Sequence, residues 1–480
     1  MNLSDHRALA YDAREPPQVR PVHDYNDILL VKFIRRDLMC AVSAEGNSFF
    51  AKLPLRRRIY GIEPFLVGNG SRGYLELIFQ TCLADQVLHH ILRHRASADI
   101  AVTQKHYLLH NLVKIVINIF STFVFTEKKT FHMIYFDSDY MSGAHPKVME
   151  RLLETNFEQT TGYGTDPYTA KAIEFIKEAC GRPDARVHLL VGGTQTNSTV
   201  IDGVLARHEG VLAAESGHIN VHESGAIEAT GHKVLTLPSY QGKVAAEDVR
   251  NFISSFYSDD TYEHMVAPGM LYISFPTEYG TVYTLNELEE ISAACHDAGI
   301  PLYIDGARLG FGLAAEGGDV TLKDIARLAD VFYIGGTKVG ALFGEAVVIT
   351  NPEILKHFTP LVKQHGALLA KGRLLGLQFE ALFTDDLYFE IGKETVRKAM
   401  GLRKAFEENG FKAAMDSPTN QQFFVLPNTV IDSLKGNVSF EMWGPRGVSE
   451  STVRFVTGWS TTDQDIDTLK ECLKHVKASR

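Results

Sequence analysis

From about residue 133 onward, apolar positions along the chain fall into two alternating patterns. Short apolar runs end in glycine or a polar residue: RVHLLVGG (186–193), MLYISFP, IPLYIDG, DVFYIGG and GEAVVIT. Between them, apolar residues recur at helical spacing, as in TQTNSTVIDGVLARH, LNELEEISAACHDAG and LKDIARLAD. Runs of four to eight apolar residues bounded by turn signals predict buried strands, and their alternation with helices predicts an α/β region with a largely parallel sheet. This pattern holds over 133–365. The tail, 366–480, predicts helices first (ALLAKGRLLGLQFEALF, ETVRKAMGLRKAFEENG), then short strands (QQFFVLP, TVRFVTGW) and a last helix. That is the order expected of a smaller C-terminal α+β domain.

Residues 1–132 have no clear alternation. They carry 17 Lys and Arg against 12 Asp and Glu, a net of +5, while the rest of the chain nets −15. Only 5 of the 39 glycines lie there, with 8 of the 19 histidines. The segment reads as an N-terminal extension of unknown fold. Met133 stands at the start of the patterned region, so we expect 1–132 to be an appendage outside the functional protein. It holds FLVGNGSRG, a G-x-G-x-x-G match at Gly68, Gly70 and Gly73. A dinucleotide site also needs an acidic residue about 20 positions on, and that region reads HHILRHRASA. An ordinary turn is the expectation.

At 480 residues, 45 % hydrophobic and 22 % charged, the chain has the make-up of an ordinary globular protein. A net charge of −10 argues against nucleic acid as a partner. The five cysteines lie far apart and form no CxxC pair, which argues against a zinc or disulfide framework and points to a reducing, cytoplasmic setting. The first twenty residues hold no apolar h-region. IVINIFSTFVF (115–125) is about half the length of a membrane span, so no membrane partner is expected.

Candidate chemistry collects at predicted strand ends, where α/β sheets bind ligands. Lys338 follows VFYIGG among small and apolar residues. It either snorkels to solvent or, poorly hydrated, serves as a nucleophilic amine that condenses with a carbonyl. Asp305 ends YID one crossover earlier. A carboxylate and an amine on neighbouring strand ends suit pyridoxal 5′-phosphate: the acid keeps the pyridine nitrogen protonated and the lysine holds the aldehyde carbon. Arg308 could reach the cofactor's phenolic oxygen or a substrate carboxylate. Gly193 and Thr194, in LLVGGTQTN, open a helix whose free N–H groups attract a phosphate. His218, in ESGHINVHESGA, could stack on a planar ring, and Glu223 could orient it or bind a proton.

With these residues in place, 133–480 resembles the threonine aldolase/β-eliminating lyase family of fold-type I pyridoxal-phosphate enzymes. The resembling segments are FDSDYMSGAHP, GYGTDPYT, GGTQTN, GHINVHESGAIE, PTEYGTVY, YIDGARLG, GGTKVGALFGEA and VRFVTGW. The resemblance implies that Lys338 bonds the cofactor, Asp305 meets the pyridine nitrogen, His218 stacks on the ring, and Gly193 and Thr194 hold the phosphate. It further implies that Ser138, Arg308 and Arg454 hold the substrate carboxylate. Tyr163 and Asp166 shape the pocket, and Lys363 and Arg373 serve a neighbouring subunit's phosphate site. A homodimer or homotetramer follows from the same likeness.

The expected reaction is aldol cleavage of a β-hydroxy-α-amino acid of the L-threonine or L-allo-threonine type, giving glycine and an aldehyde. The base that takes the hydroxyl proton is left open between His218, a water and the cofactor phosphate. β-Elimination and transamination would use the same Lys338 and Asp305. A non-catalytic protein that keeps the fold is disfavoured, because each chemical position holds a competent residue.

Overall fold

The computed structural model describes residues 133–478. The extension 1–132, with its GNGSRG turn and the 115–125 stretch, lies outside the described residues. Among the described residues no helix is long and apolar enough to cross a membrane.

The chain enters through a short strand, β1 (Ile134–Tyr135), and then builds a seven-stranded sheet. Its strands are β2 (Arg186–Leu190), β3 (Glu209–Ala214), β4 (Val234–Leu237), β5 (Ala267–Ser274), β6 (Leu302–Asp305), β7 (Val331–Gly335) and β8 (Glu345–Ile349). Their order across the sheet is β2-β8-β7-β6-β5-β3-β4. Neighbouring pairs from β4 to β7 are parallel, and β8 runs antiparallel to both β7 and β2. Every residue of β6, β7 and β8 is buried, as expected for central strands covered on both faces.

Helices return the chain between strands, and their ends are written locally. Thr284 and Glu287 form a capping box at the start of Leu285–Asp297, and Thr321 and Asp324 do so before Leu322–Leu328. Pro167 opens Pro167–Cys180 behind an Asp166 cap, and Gly181, with φ of 64°, ends it in the left-handed region.

Two apolar layers cover the sheet. One packs Val148, Ile176, Leu288, Ile325 and Phe379 under one face. The other packs Val200, Ile201, Phe358 and Val362 under the opposite face. A third core joins the C-terminal strands β9 (Gln421–Pro427), β10 (Val438–Ser439), β11 (Glu441–Met442) and β12 (Glu450–Val456). Strands β11, β12 and β9 form an antiparallel sheet in that order, while β10 pairs with β1 in parallel.

Ile134 and Phe136 belong to this C-terminal core, whereas Phe379, Leu382 and Ile391 belong to the main one. Both sets cross the 365/366 division expected from the sequence. The reason is the long helix Leu387–Glu408, whose first half packs on the main sheet (Tyr388, Ile391) and whose second half packs on the C-terminal sheet (Leu402, Phe406).

Candidate active site

The C-terminal ends of β2, β5, β6 and β7 share one edge of the sheet, and antiparallel β8 begins there opposite Gly335. Asp305 closes β6 at this edge and is 4 % exposed. A carboxylate that deep is tolerated only if its lone pairs are filled. Tyr272 Oη (2.7 Å) and Asn197 Nδ2 (3.0 Å) donate to Oδ2; Tyr333 Oη (2.6 Å) and the Ala307 N–H (2.9 Å) donate to Oδ1. Burial pushes this carboxyl up, but the nearby His218 imidazole and the tyrosine and backbone donors outweigh it, so it lies below its ordinary value and is ionised. Neither the tyrosines nor Asn197 were identified from the sequence.

Asn197 also donates to Glu223 Oε1 at 2.8 Å, and Tyr303 Oη donates to Asn197 Oδ1 at 2.7 Å. Glu223 Oε1 in turn meets His218 Nδ1 at 2.8 Å. His218 therefore has a fixed ring plane, although its side chain is 38 % exposed. Its backbone N–H is held by Glu278 Oε1 at 2.9 Å, and Ser274 Oγ donates to the same oxygen at 2.7 Å. Two of the expected residues, His218 and Glu223, thus reach Asp305 through one buried amide. Glu223 Oε2 is buried with no partner.

The helix Gly193–Val204 follows β2. Its N-cap is Gly192, with no side-chain cap, so its first N–H groups are open beside the exposed hydroxyl-bearing Thr194. A Cβ on Gly193 would stand 3.2 Å from Tyr333 Oη, which brings the helix start to the strand that carries Asp305's donor.

Lys338 lies three residues past β7. Its amine has no hydrogen bond or ion pair among the described residues and stands 6.0 Å over the Tyr140 ring. Burial lowers its pKa, as does Arg308, while Asp139, Glu345 and Asp305 pull it the other way; the net direction is down. Asp305 and Lys338 therefore sit within electrostatic reach at neighbouring strand ends.

Arg308 gives Nε (2.7 Å) and Nη2 (3.1 Å) to Asp139, a fully buried carboxylate absent from the sequence reading. Asn420 Nδ2 adds a third bond to it at 2.9 Å. Arg454 alternates with the core residues Val453 and Phe455 on β12 and so turns away from the C-terminal core. Its Nη1 meets Gln421 at 2.8 Å, its Nη2 meets Glu441, and its guanidinium lies 4.9 Å from the Trp443 ring centre. Burial and the Arg308 charge lower the Arg454 pKa, which marks two cations close together. Arg454 Nε and Ser138 Oγ are buried without partners. Buried unpaired donors and close guanidinium charges are groups that a small carboxylate would satisfy.

The remaining expected residues have local partners of their own. Asp166 is a helix cap that accepts from Thr169 N (2.9 Å) and Oγ1 (2.8 Å). Tyr163 takes a positive φ of 59° and carries Lys363 Nζ 4.5 Å over its ring. Arg373 donates to the carbonyls of Glu158 (2.6 Å) and Thr155 (2.7 Å), so both Nη groups are engaged within its own chain.

Known proteins resemble this chain in sequence and fold. A low specificity L-threonine aldolase from Pseudomonas aeruginosa is 28 % identical over 357 residues, covering 72 % of this chain and 98 % of that protein. A solved threonine aldolase from Leishmania major is 43 % identical with a TM-score of 0.69, covering 72 % of this chain and 99 % of that one. A serine palmitoyltransferase from S. paucimobilis with bound PLP is 14 % identical at a TM-score of 0.54, covering 72 % of this chain and 88 % of that one; it shares the fold alone. The sequence pattern described as beta-eliminating lyase matches residues 136–426, and the chain belongs to that family.

Proposed function

We propose that this protein is a pyridoxal-phosphate-dependent lyase that cleaves a β-hydroxy-α-amino acid of the threonine type to glycine and an aldehyde. The observation that carries the reading is the unpartnered Lys338 amine placed one strand from an ionised, four-donor Asp305. The residues present fit the cofactor. Lys338 would hold its aldehyde carbon, Asp305 would meet its ring nitrogen, His218 would stack on it, and the uncapped helix start at Gly193 and Thr194 would take its phosphate. When bound, pyridoxal phosphate supplies a carbonyl for amines and a ring that accepts an electron pair.

The side chains supply the rest. Ser138 Oγ, Arg454 Nε and the free Nη1 of Arg308 bind the substrate carboxylate and orient the bond to be cleaved. Nδ1–H of His218 goes to Glu223, which leaves Nε2 free to take the β-hydroxyl proton. The Cα–Cβ electron pair stays with Cα, the aldehyde leaves, and a proton at Cα completes glycine. The relatives named as threonine aldolases support this substrate class. We also propose a homodimer or homotetramer, with the exposed Lys363–Tyr163 pair near a subunit boundary; sedimentation of the full chain tests it.

The test is spectroscopic. Full-length protein mixed with pyridoxal phosphate should absorb at roughly 410–430 nm, the imine region of such cofactors. Borohydride should fix the cofactor on the Lys338 peptide, and Lys338→Ala should lack the band. L-Threonine should then yield glycine and acetaldehyde in equal amounts. No band, or pyruvate from serine without glycine from threonine, overturns the reading.

A further inference from the structure

Glu345 is the first residue of β8, a strand otherwise made of Ala, Val and Ile, and it is 3 % exposed. A buried carboxyl in such a strand needs a compensating role, because desolvating it is unfavourable. Its oxygens point into the turn that carries Lys338. Oε2 accepts the Gly336 N–H at 3.1 Å, and Oε1 accepts the Thr337 hydroxyl at 2.7 Å. The Thr337 oxygen then accepts the Gly344 N–H at 3.0 Å, while the Gly336 and Thr337 N–H groups reach Gly344 O at 3.0 and 3.1 Å. The turn is closed at both ends. Gly344, in the same turn, has a φ of +120°, a conformation that residues with a Cβ rarely adopt.

The charges around the two groups are few. Lys338 feels Arg308, Asp139, Glu345 and Asp305, with the Tyr140 ring beneath it. Glu345 feels Lys338 and Asp305, and its charge bears on the phenols of Tyr303, Tyr333 and Tyr388. No ion pair joins Lys338 to Glu345, so the coupling acts through space. Of the three carboxylates near the amine, Asp139 is bound by Arg308 and Asp305 by four donors. Glu345 is the one whose oxygens hold the lysine's own turn.

We propose that Glu345 is the positioning residue for Lys338: it clamps the turn that aims the amine, and its carboxyl, once ionised, favours the ammonium form over the nucleophilic amine. Burial pushes the Glu345 carboxyl up to about 8 and the lysine down, so the two titrate towards one another. With Glu345 ionised, the ammonium form of Lys338 is stabilised. Removing that charge makes the amine neutral at lower pH.

The inference rests on the proposed cofactor role of Lys338 only for its purpose, not for its test. Full-length cofactor-free protein is labelled with acetic anhydride across a pH series, and Lys338 acetylation is read by mass spectrometry. Glu345→Gln should move the Lys338 midpoint down by about one unit, the scale of a nearby opposite charge. Thr337→Val breaks two clamp bonds and removes a donor that favours the Glu345 carboxylate but keeps the carboxyl itself, so its midpoint should move less than that of Glu345→Gln while its cofactor affinity falls. Glu345→Asp, a fallback should the glutamine variant not fold, should also keep that midpoint. An unmoved midpoint in Glu345→Gln, a drop in Thr337→Val as large as that in Glu345→Gln, or a lowered midpoint in Glu345→Asp overturns the inference. Loss of the imine band with the labelling shift intact would instead remove the cofactor assignment alone.

Discussion

Asp305 is held ionised by geometry that only a carboxylate satisfies. Its four donors all point hydrogens inward, from Tyr272, Asn197, Tyr333 and Ala307. Asp305→Asn would turn an NH2 group toward two of them and remove the charge that a ring nitrogen needs. We expect kcat for threonine cleavage to fall on the order of 10²–10³-fold, the scale of losing a preorganised electrostatic partner. Stopped assays on the cofactor-loaded variant check it. Asp305 and Lys338 were legible in the sequence because one ends an apolar run and the other stands just past one. Their supporting residues were not, because partners across strands depend on sheet order and register. One signal was available: Tyr272-Ile273-Ser274, Tyr303-Ile304-Asp305 and Tyr333-Ile334-Gly335 repeat a tyrosine two residues before a strand end. Phenols in such buried strands need acceptors, and on three adjacent parallel strands they share one face. Asp139 left no comparable trace, since its partner Arg308 is 169 positions away.

Among the elements, the strands and their alternation with helices were readable from apolar runs, and the capping residues from Thr-x-x-Glu and Thr-x-x-Asp spacing. Which helix packs on which sheet was not, because a helix of either domain shows the same periodicity. The helix Arg373–Phe383 shows this: it follows residue 365 in sequence yet seats Phe379 and Leu382 in the main core. It reaches that place by backbone contact. A Cβ on Gly376 would lie 2.4–2.6 Å from Thr169 Oγ1, N and Cα, and the Thr169 N–H is already bound to Asp166. Gly376→Ala therefore has no flexible side chain to displace. We expect it to lose about 1–3 kcal/mol of stability, as overpacked cores do. Urea unfolding of the variant beside the unaltered protein measures this.

For the whole molecule, the decisive joint is Asp139. It sits just after β1, takes two bonds from Arg308 behind the main sheet's β6, and takes a third from Asn420 at the start of the C-terminal sheet. One buried carboxylate thus ties three separated parts of the chain together beside the arginine pair proposed to bind substrate. Burial alone would push its carboxyl up. The charges of Arg308 and Lys338 and the Arg308 and Asn420 hydrogen bonds outweigh that and hold it below the ordinary value of 3.8. The sign of the linkage follows. A carboxyl depressed in the folded state contributes stability that is fully present above its unfolded value and is lost as pH falls through the folded one. Asp139→Asn leaves Arg308 buried against a neutral amide, and we expect it to cost about 3–5 kcal/mol near neutral pH. Acid should narrow that gap, because the unaltered protein loses the same charge by protonation while the variant has none to lose. Denaturant curves for both proteins at neutral pH and at successive steps below the ordinary carboxyl value provide the check. A constant difference across the series would mean that Asp139 contributes shape and hydrogen bonds alone, and that its charge does not hold the two sheets together.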